Sequence, residues 1–218
     1  MSLRIKICGI TNLSDALAAV DAGADALGFM FYEPSPRYVS LSAAAEIIRD
    51  LPPFVTAVGV FVDASQDFVR RAMEECGLDA LQFHGNEPPD FCRQFSLRTI
   101  KAFRVRDAAS LKELPQYPTS AWLLDSFVPD RLGGSGAKFD WELACSAKKF
   151  GRPIILAGGL TPENVAEAVR LVRPFAVDVS SGVESQPGRK DHGKMRAFIL
   201  AGRAAWTTKA QIPVLVKL

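Results

Sequence analysis

The chain has 218 residues, 48% of them hydrophobic, and 26 basic against 24 acidic side chains give a formal net charge of +2. A chain of this size and composition can bury a sizeable core as one domain. The near-balanced charge, spread without blocks, excludes the electrostatic footprint of a nucleic-acid binder or of a protein held on an anionic membrane surface.

No apolar run approaches the ~20 residues that span a bilayer. The opening MSLRIKICGI lacks the apolar stretch and small-residue cleavage site of a secretory signal. The expected location is therefore the cytoplasm, with the cysteines reduced. Cys8, Cys76, Cys92 and Cys145 are widely spaced and the histidines are only His84 and His192. No metal cluster or thioredoxin-type pair is expected from that set.

Short apolar runs alternate with amphipathic ones. RIKIC (4–8) reads as a strand and 12–23 as a helix ended by Gly23. A strand at 24–31 is followed by a helix at 40–51, which Ser40 or Ser42 can cap. The run 54–62, rich in β-branched and aromatic residues, is a strand, and 65–77 a helix ending at Gly77. Next come a strand at 78–84, a short proline-opened helix at 87–95 and a strand at 97–105. A weak helix at 106–117, a strand at 120–125 and a helix at 139–151 follow. The last units are a strand at 152–158, a helix at 161–172 capped by Thr161, a strand at 174–182 and a helix at 191–206.

Eight strands, each followed by a helix or a helix-length segment, imply a parallel sheet with right-handed crossovers. That count in so short a chain predicts a single (β/α)₈ TIM barrel over residues 1–206, with 207–218 as a C-terminal tail of unknown role. A doubly wound open sheet is the structural alternative.

In such a barrel, chemistry sits where the strands end. The strand ends carry Lys6, Cys8, His84, Arg104, Asp125, the pair Gly158–Gly159 and the run Asp178 to Gly182. Cys8 is either a small buried hydrophobe or a reactive thiol. Asp125 closes the apolar run AWLLD, where a carboxylate is costly unless it faces a polar mouth. LAGGLTPENV and VDVSSGVES place glycines and hydroxyls after strands 7 and 8, the usual phosphate site of this barrel class. Arg37, in the loop after strand 2, can grip a carboxylate with two hydrogen bonds or serve in a surface ion pair. His84 reads equally as a substrate contact and as a side chain held by loop backbone. DRLGGSGAKFDW (130–141) has neither P-loop nor dinucleotide spacing and reads equally as a lid over substrate and as a plain surface connection.

The segments KICGIT, SPRYV, LQFHG, LLDS, GGSGAKFDW, LAGGLTPENV and VDVSSGVES, in this order, resemble the phosphoribosylanthranilate isomerase family of tryptophan biosynthesis. The likeness runs from about residue 4 to about residue 205, and the 207–218 tail lies outside it. Phe83 stands in LQFHG where an aliphatic residue is more familiar, and should face the barrel wall. The resemblance implies an Amadori rearrangement of N-(5-phosphoribosyl)anthranilate, with Cys8 as general base and Asp125 as general acid. It also implies Arg37 on the anthranilate carboxylate and Gly158, Gly159, Ser180, Ser181 and Gly182 on the phosphate. Asp178 would orient the substrate amine; Lys6 would help ionise Cys8 and, with His84, face the substrate. No metal, flavin or nicotinamide is implied. The partner is a small phosphosugar, with no nucleic acid and no membrane, and the chain is a monomer or a homodimer. A related aminoaldose–aminoketose isomerase and a non-catalytic phosphosugar-binding barrel are the rival readings.

Overall fold

Residues that alternate along each apolar run have two different destinations, and this alternation builds the molecule. The computed structural model describes residues 2–126 and 141–207. Its strands are β1 (Arg4–Cys8), β2 (Ala26–Met30), β3 (Thr56–Phe61), β4 (Ala80–Phe83), β5 (Arg98–Val105), β6 (Ala121–Ser126), β7 (Ile154–Leu156) and β8 (Ala176–Val179). They pair in chain order, all parallel, and β8 returns to β1 with Ile5 opposite Val177 and Lys6 opposite Asp178. The barrel is closed, so the open-sheet alternative is excluded.

One set of side chains, including Ile5, Ile7, Phe29, Leu81, Phe83, Trp122, Leu124 and Val177, packs outward under the helices in the main core. The other set fills the barrel, where Ala102, Ala121, Leu123, Ile155, Ala157 and Ala176 form a second cluster. Each large side chain removed from water contributes roughly 1.5–3 kcal/mol. Phe83 is fully buried on the outer side of its strand, against Phe61, Phe91 and Phe95.

The covering helices are α1 (Leu13–Asp21), α2 (Leu41–Arg49), α3 (Gln66–Cys76), α4 (Pro89–Cys92), α5 (Trp141–Ala147), α6 (Val165–Val172) and α7 (His192–Thr207). Ser40 caps α2, its Oγ accepting from the Ala43 amide at 3.2 Å. Gly77 ends α3 in the left-handed conformation, at φ 67°.

Three expectations shift. The weak helix expected at 106–117 is a 3₁₀ helix, Ala108–Gln116, because Pro115 inside it cannot donate to an α ladder. The helix expected from 161 begins at Val165. The Asn164 side chain accepts from the Thr161 amide (2.8 Å) and donates to the Gly159 carbonyl (2.8 Å), so Thr161 heads a turn instead. The strand expected over 174–182 stops at Val179, and a 3₁₀ turn, Ser181–Val183, leads into a small antiparallel hairpin of β9 (Glu184–Gln186) and β10 (Arg189–Lys190). The lid or surface connection at 130–141 lies outside the described residues except for Trp141, as does the tail beyond Thr207. Among the described residues no helix is long and apolar enough to cross a membrane.

Candidate active site

The carboxyl ends of the strands surround a cavity of about 390 Å³, a size suited to a small-molecule ligand. Every site residue named from the sequence lines it except Lys6, which lies beneath Cys8 inside the barrel. A larger cavity at the opposite end has its carboxylates engaged. Asp25 there pairs with Arg4 and Arg203, and Asp79 accepts from the Ala57 amide.

Lys6 and Cys8 are two residues apart on β1 and so share the inner face. Lys6 Nζ donates to Asp178 Oδ1 at 2.8 Å, and both residues are buried. Burial alone would lower the lysine, but Asp178, with Cys8, holds it above its ordinary value. Burial pushes the Cys8 thiol up, and the Lys6 charge pulls it down without cancelling that effect. Gly28, beside Cys8 on β2, makes the pair fit. A Cβ there would sit 2.7 Å from the Cys8 sulfur and 3.0 Å from the Lys6 nitrogen. Gly28→Ala is expected to cost about 1–3 kcal/mol of stability through overpacking. It should also lower kcat by about 10-fold or more by displacing the thiol. Thermal melts and steady-state kinetics on one preparation check both.

Across the mouth, Asp125 is the penultimate residue of β6, with His84 Nε2 at 3.3 Å from its Oδ2. His84 Nδ1 faces Gln82 Nε2 at 3.0 Å. Among the described residues the His84 ring is therefore flanked by the Gln82 and Asp125 side chains rather than held by loop backbone.

Arg37 folds over the rim. Its Nε donates to Glu184 Oε1 at 2.8 Å and its Nη2 to Oε2 at 2.7 Å, a two-pronged pair. Gly9, at φ +76°, permits this approach, since a Cβ there would lie 2.7 Å from Arg37 Cδ. Lys190, its side chain fully buried, also donates to Glu184 Oε1, at 2.9 Å. Burial alone would raise Glu184, but Arg37 and Lys190 hold it below the usual carboxylate range. Burial lowers Lys190 against the pull of Glu184. The hairpin that carries these groups is pinned by the Lys190 amide donating to Asp15 (2.9 Å) and by Thr11 Oγ1 donating to the Gly188 carbonyl (2.6 Å).

The end of the cavity beyond β7 and β8 is built from backbone. Gly158 and Gly159 both have positive φ, 78° and 64°. A Cβ on Gly182 would run into the Leu160 carbonyl, so the two loops are in close contact. Ser180 Oγ is buried and has no hydrogen-bond partner among the described residues. Such a hydroxyl is costly to bury unless a ligand or water completes it.

Asp191 and His192 stand at the start of α7, away from the cavity. The Asp191 carboxylate accepts from the Lys194 amide at the start of α7 (2.9 Å), and His192 pairs with Asp15 (2.9 Å). Four contributors went unread in the sequence: Gly28, Gln82, Glu184 and Lys190. A turn signal, Pro187–Gly188, was there to mark the hairpin of the last two. Gln82 precedes His84 by two residues, so strand alternation already put them on one face. Nothing local marks Gly28.

The family model for N-(5'phosphoribosyl)anthranilate (PRA) isomerase matches residues 5–201. An N-(5'-phosphoribosyl)anthranilate isomerase of Geobacter sp. (strain M21) is 60% identical over 196 residues, covering 90% of this chain and 96% of its own. The crystal structure of phosphoribosyl anthranilate isomerase from Thermotoga maritima superposes with a TM-score of 0.88 at 44% identity, over 93% of this chain and 99% of that one. A phosphoribosyl anthranilate isomerase in complex with reduced 1-(o-carboxyphenylamino)-1-deoxyribulose 5-phosphate matches with a TM-score of 0.85 at 43% identity, over 93% and 99%.

Proposed function

The chain belongs to the N-(5'-phosphoribosyl)anthranilate isomerase family, and from that premise we propose how its residues divide the work. It is an isomerase of tryptophan biosynthesis, converting the aminoaldose N-(5-phosphoribosyl)anthranilate into the aminoketose 1-(2-carboxyphenylamino)-1-deoxyribulose 5-phosphate. The observation that carries the division is one cavity holding a thiol, a carboxylate and two glycine-bearing loops on separate strand ends.

Asp125 is the general acid. It gives a proton to the furanose ring oxygen as the C1–O bond breaks, while the nitrogen lone pair forms the Schiff base. Cys8, as thiolate, then removes the C2 proton, and the resulting enolamine tautomerises to the ketone. The electron change is internal to the sugar, so the reaction needs no metal, flavin or nicotinamide. Gly158, Gly159, Ser180, Ser181 and Gly182 grip the phosphate, a binding contribution away from the reacting carbons that positions them. Arg37 takes the anthranilate carboxylate on the N–H groups that Glu184 leaves open. Asp178 and His84 face the substrate from the same mouth, and Lys6 supplies charge beneath the thiol.

The enzyme is expected to work in the cytoplasm on a small phosphosugar, without nucleic acid or a membrane, as a monomer or homodimer. The Thermotoga maritima protein is described as dimeric, which supports the homodimer. Residues 1–206 would carry the activity and 207–218 would be an appendage.

The test makes the substrate in situ from anthranilate and phosphoribosyl pyrophosphate with a transferase, then follows loss of its fluorescence on adding this protein. Decay no faster than the spontaneous rate would sink the reading. Arg37→Ala is expected to raise KM by about 10- to 100-fold, the loss of one charge-assisted carboxylate contact. Its kcat should change far less, and a KM unchanged from the parent would remove Arg37 from the substrate.

A further inference from the structure

We propose that Gln82 is a positioning residue for the acid, acting through His84 to set which oxygen of Asp125 carries the proton. The inference rests on Asp125 being the acid.

Gln82 is an amide placed where an amide is costly. It is 1% exposed, inside the barrel, and lines the cavity. Its Oε1 has no hydrogen-bond partner among the described residues. Among the described residues its side chain makes one hydrogen bond, between Nε2 and His84 Nδ1 at 3.0 Å. A half-satisfied buried amide is costly relative to a well-paired one.

That contact has a chemical consequence. With the amide in this orientation its nitrogen donates and His84 Nδ1 accepts, which in the neutral ring puts the hydrogen on Nε2. Nε2 lies 3.3 Å from Asp125 Oδ2. At that distance the Nε2–H faces Oδ2, so the proton that Asp125 holds as an acid is directed to Oδ1. When Oδ1–H passes its proton to the ring oxygen and the C1–O bond breaks, the carboxylate left behind draws in the facing Nε2–H as a charge-assisted hydrogen bond. The same ring thus directs the proton before transfer and stabilises the anion after it. With Nε2 bare instead, a lone pair would face the new carboxylate.

The chain has two histidines, so a ¹⁵N spectrum of the ring nitrogens is simple, and His192→Gln leaves His84 as the only signal. We expect the wild-type ring to be protonated at Nε2. Gln82→Glu, which can only accept, should put a proton on Nδ1. Gln82→Met, of similar length but without a donor, should lose the fixed tautomer. Both variants should lower kcat by about 10- to 100-fold through the misdirected acid, with KM little changed.

A wild-type ring protonated at Nδ1 overturns the inference. So does Gln82→Met with wild-type kcat, or a variant that raises KM alone, which would make Gln82 a substrate contact only. Asp125→Asn, run alongside, separates the two levels. Full turnover there defeats the assignment of the acid itself. An inactive Asp125→Asn beside fully active Gln82 variants defeats this inference alone.

Discussion

Changing Cys8 to alanine is expected to lower kcat by about 10²- to 10⁴-fold, the usual contribution of a positioned proton-transfer group. KM should move little, because in the proposed division of work the phosphate loops and Arg37 bind the substrate without the thiol. The substitution removes one sulfur atom from a tight site and should leave the fold intact. Loss of substrate fluorescence, followed with enzyme in excess, measures the step directly. Full turnover by Cys8→Ala would move the base elsewhere.

The pH profile makes the same prediction sharper. A base must be unprotonated to act, so activity rises as pH climbs through its pKa. Burial holds the Cys8 thiol above its ordinary value despite the Lys6 charge. The acid limb of kcat/KM should therefore extend to higher pH than a free thiol near ~8.5 would give. Asp178 adds to the upward push, so Asp178→Asn should move that limb to lower pH. A limb already below the free-thiol value in the parent would mean that the Lys6 ammonium outweighs burial.

Lys6→Met carries the largest expected loss of stability. It strands the Asp178 carboxylate inside the barrel, where its partner at 2.8 Å had offset desolvation. Removing one member of a buried pair costs about 3–5 kcal/mol. For a chain of this size that lowers the melting temperature by roughly 6–20 °C. Lys6→Met combined with Asp178→Leu removes both charges and should recover part of the loss. A double-mutant cycle on these two sites measures the coupling. Strictly additive losses would show that the two charges do not depend on each other.

The βα order, the caps at Ser40 and Gly77, and the gathering of Cys8, His84, Asp125, Asp178 and the two glycine-bearing loops at strand ends were all legible in the sequence. Each of those signals is local: a period of two, a capping side chain, a glycine, or a polar residue ending an apolar run. The start of α6 was misplaced because Asn164 reaches back to Gly159 and Thr161, a competition that residue order alone does not reveal. The 3₁₀ helix carried its own warning in Pro115.

What the sequence determined by itself was the repeating unit, the inner and outer faces of each strand, and the chemical groups delivered to the barrel mouth. Only the tertiary structure decided their partners. Lys6 meets Asp178 across 172 positions and Arg37 meets Glu184 across 147. Both contacts exist because β8 closes on β1 and carries the hairpin of Glu184 and Lys190 with it. Charge interactions depend on distance and on the exclusion of water. Neither quantity is defined until the barrel is shut, so the state of Cys8 and the orientation of Arg37 belong to the closed fold rather than to any segment of the chain.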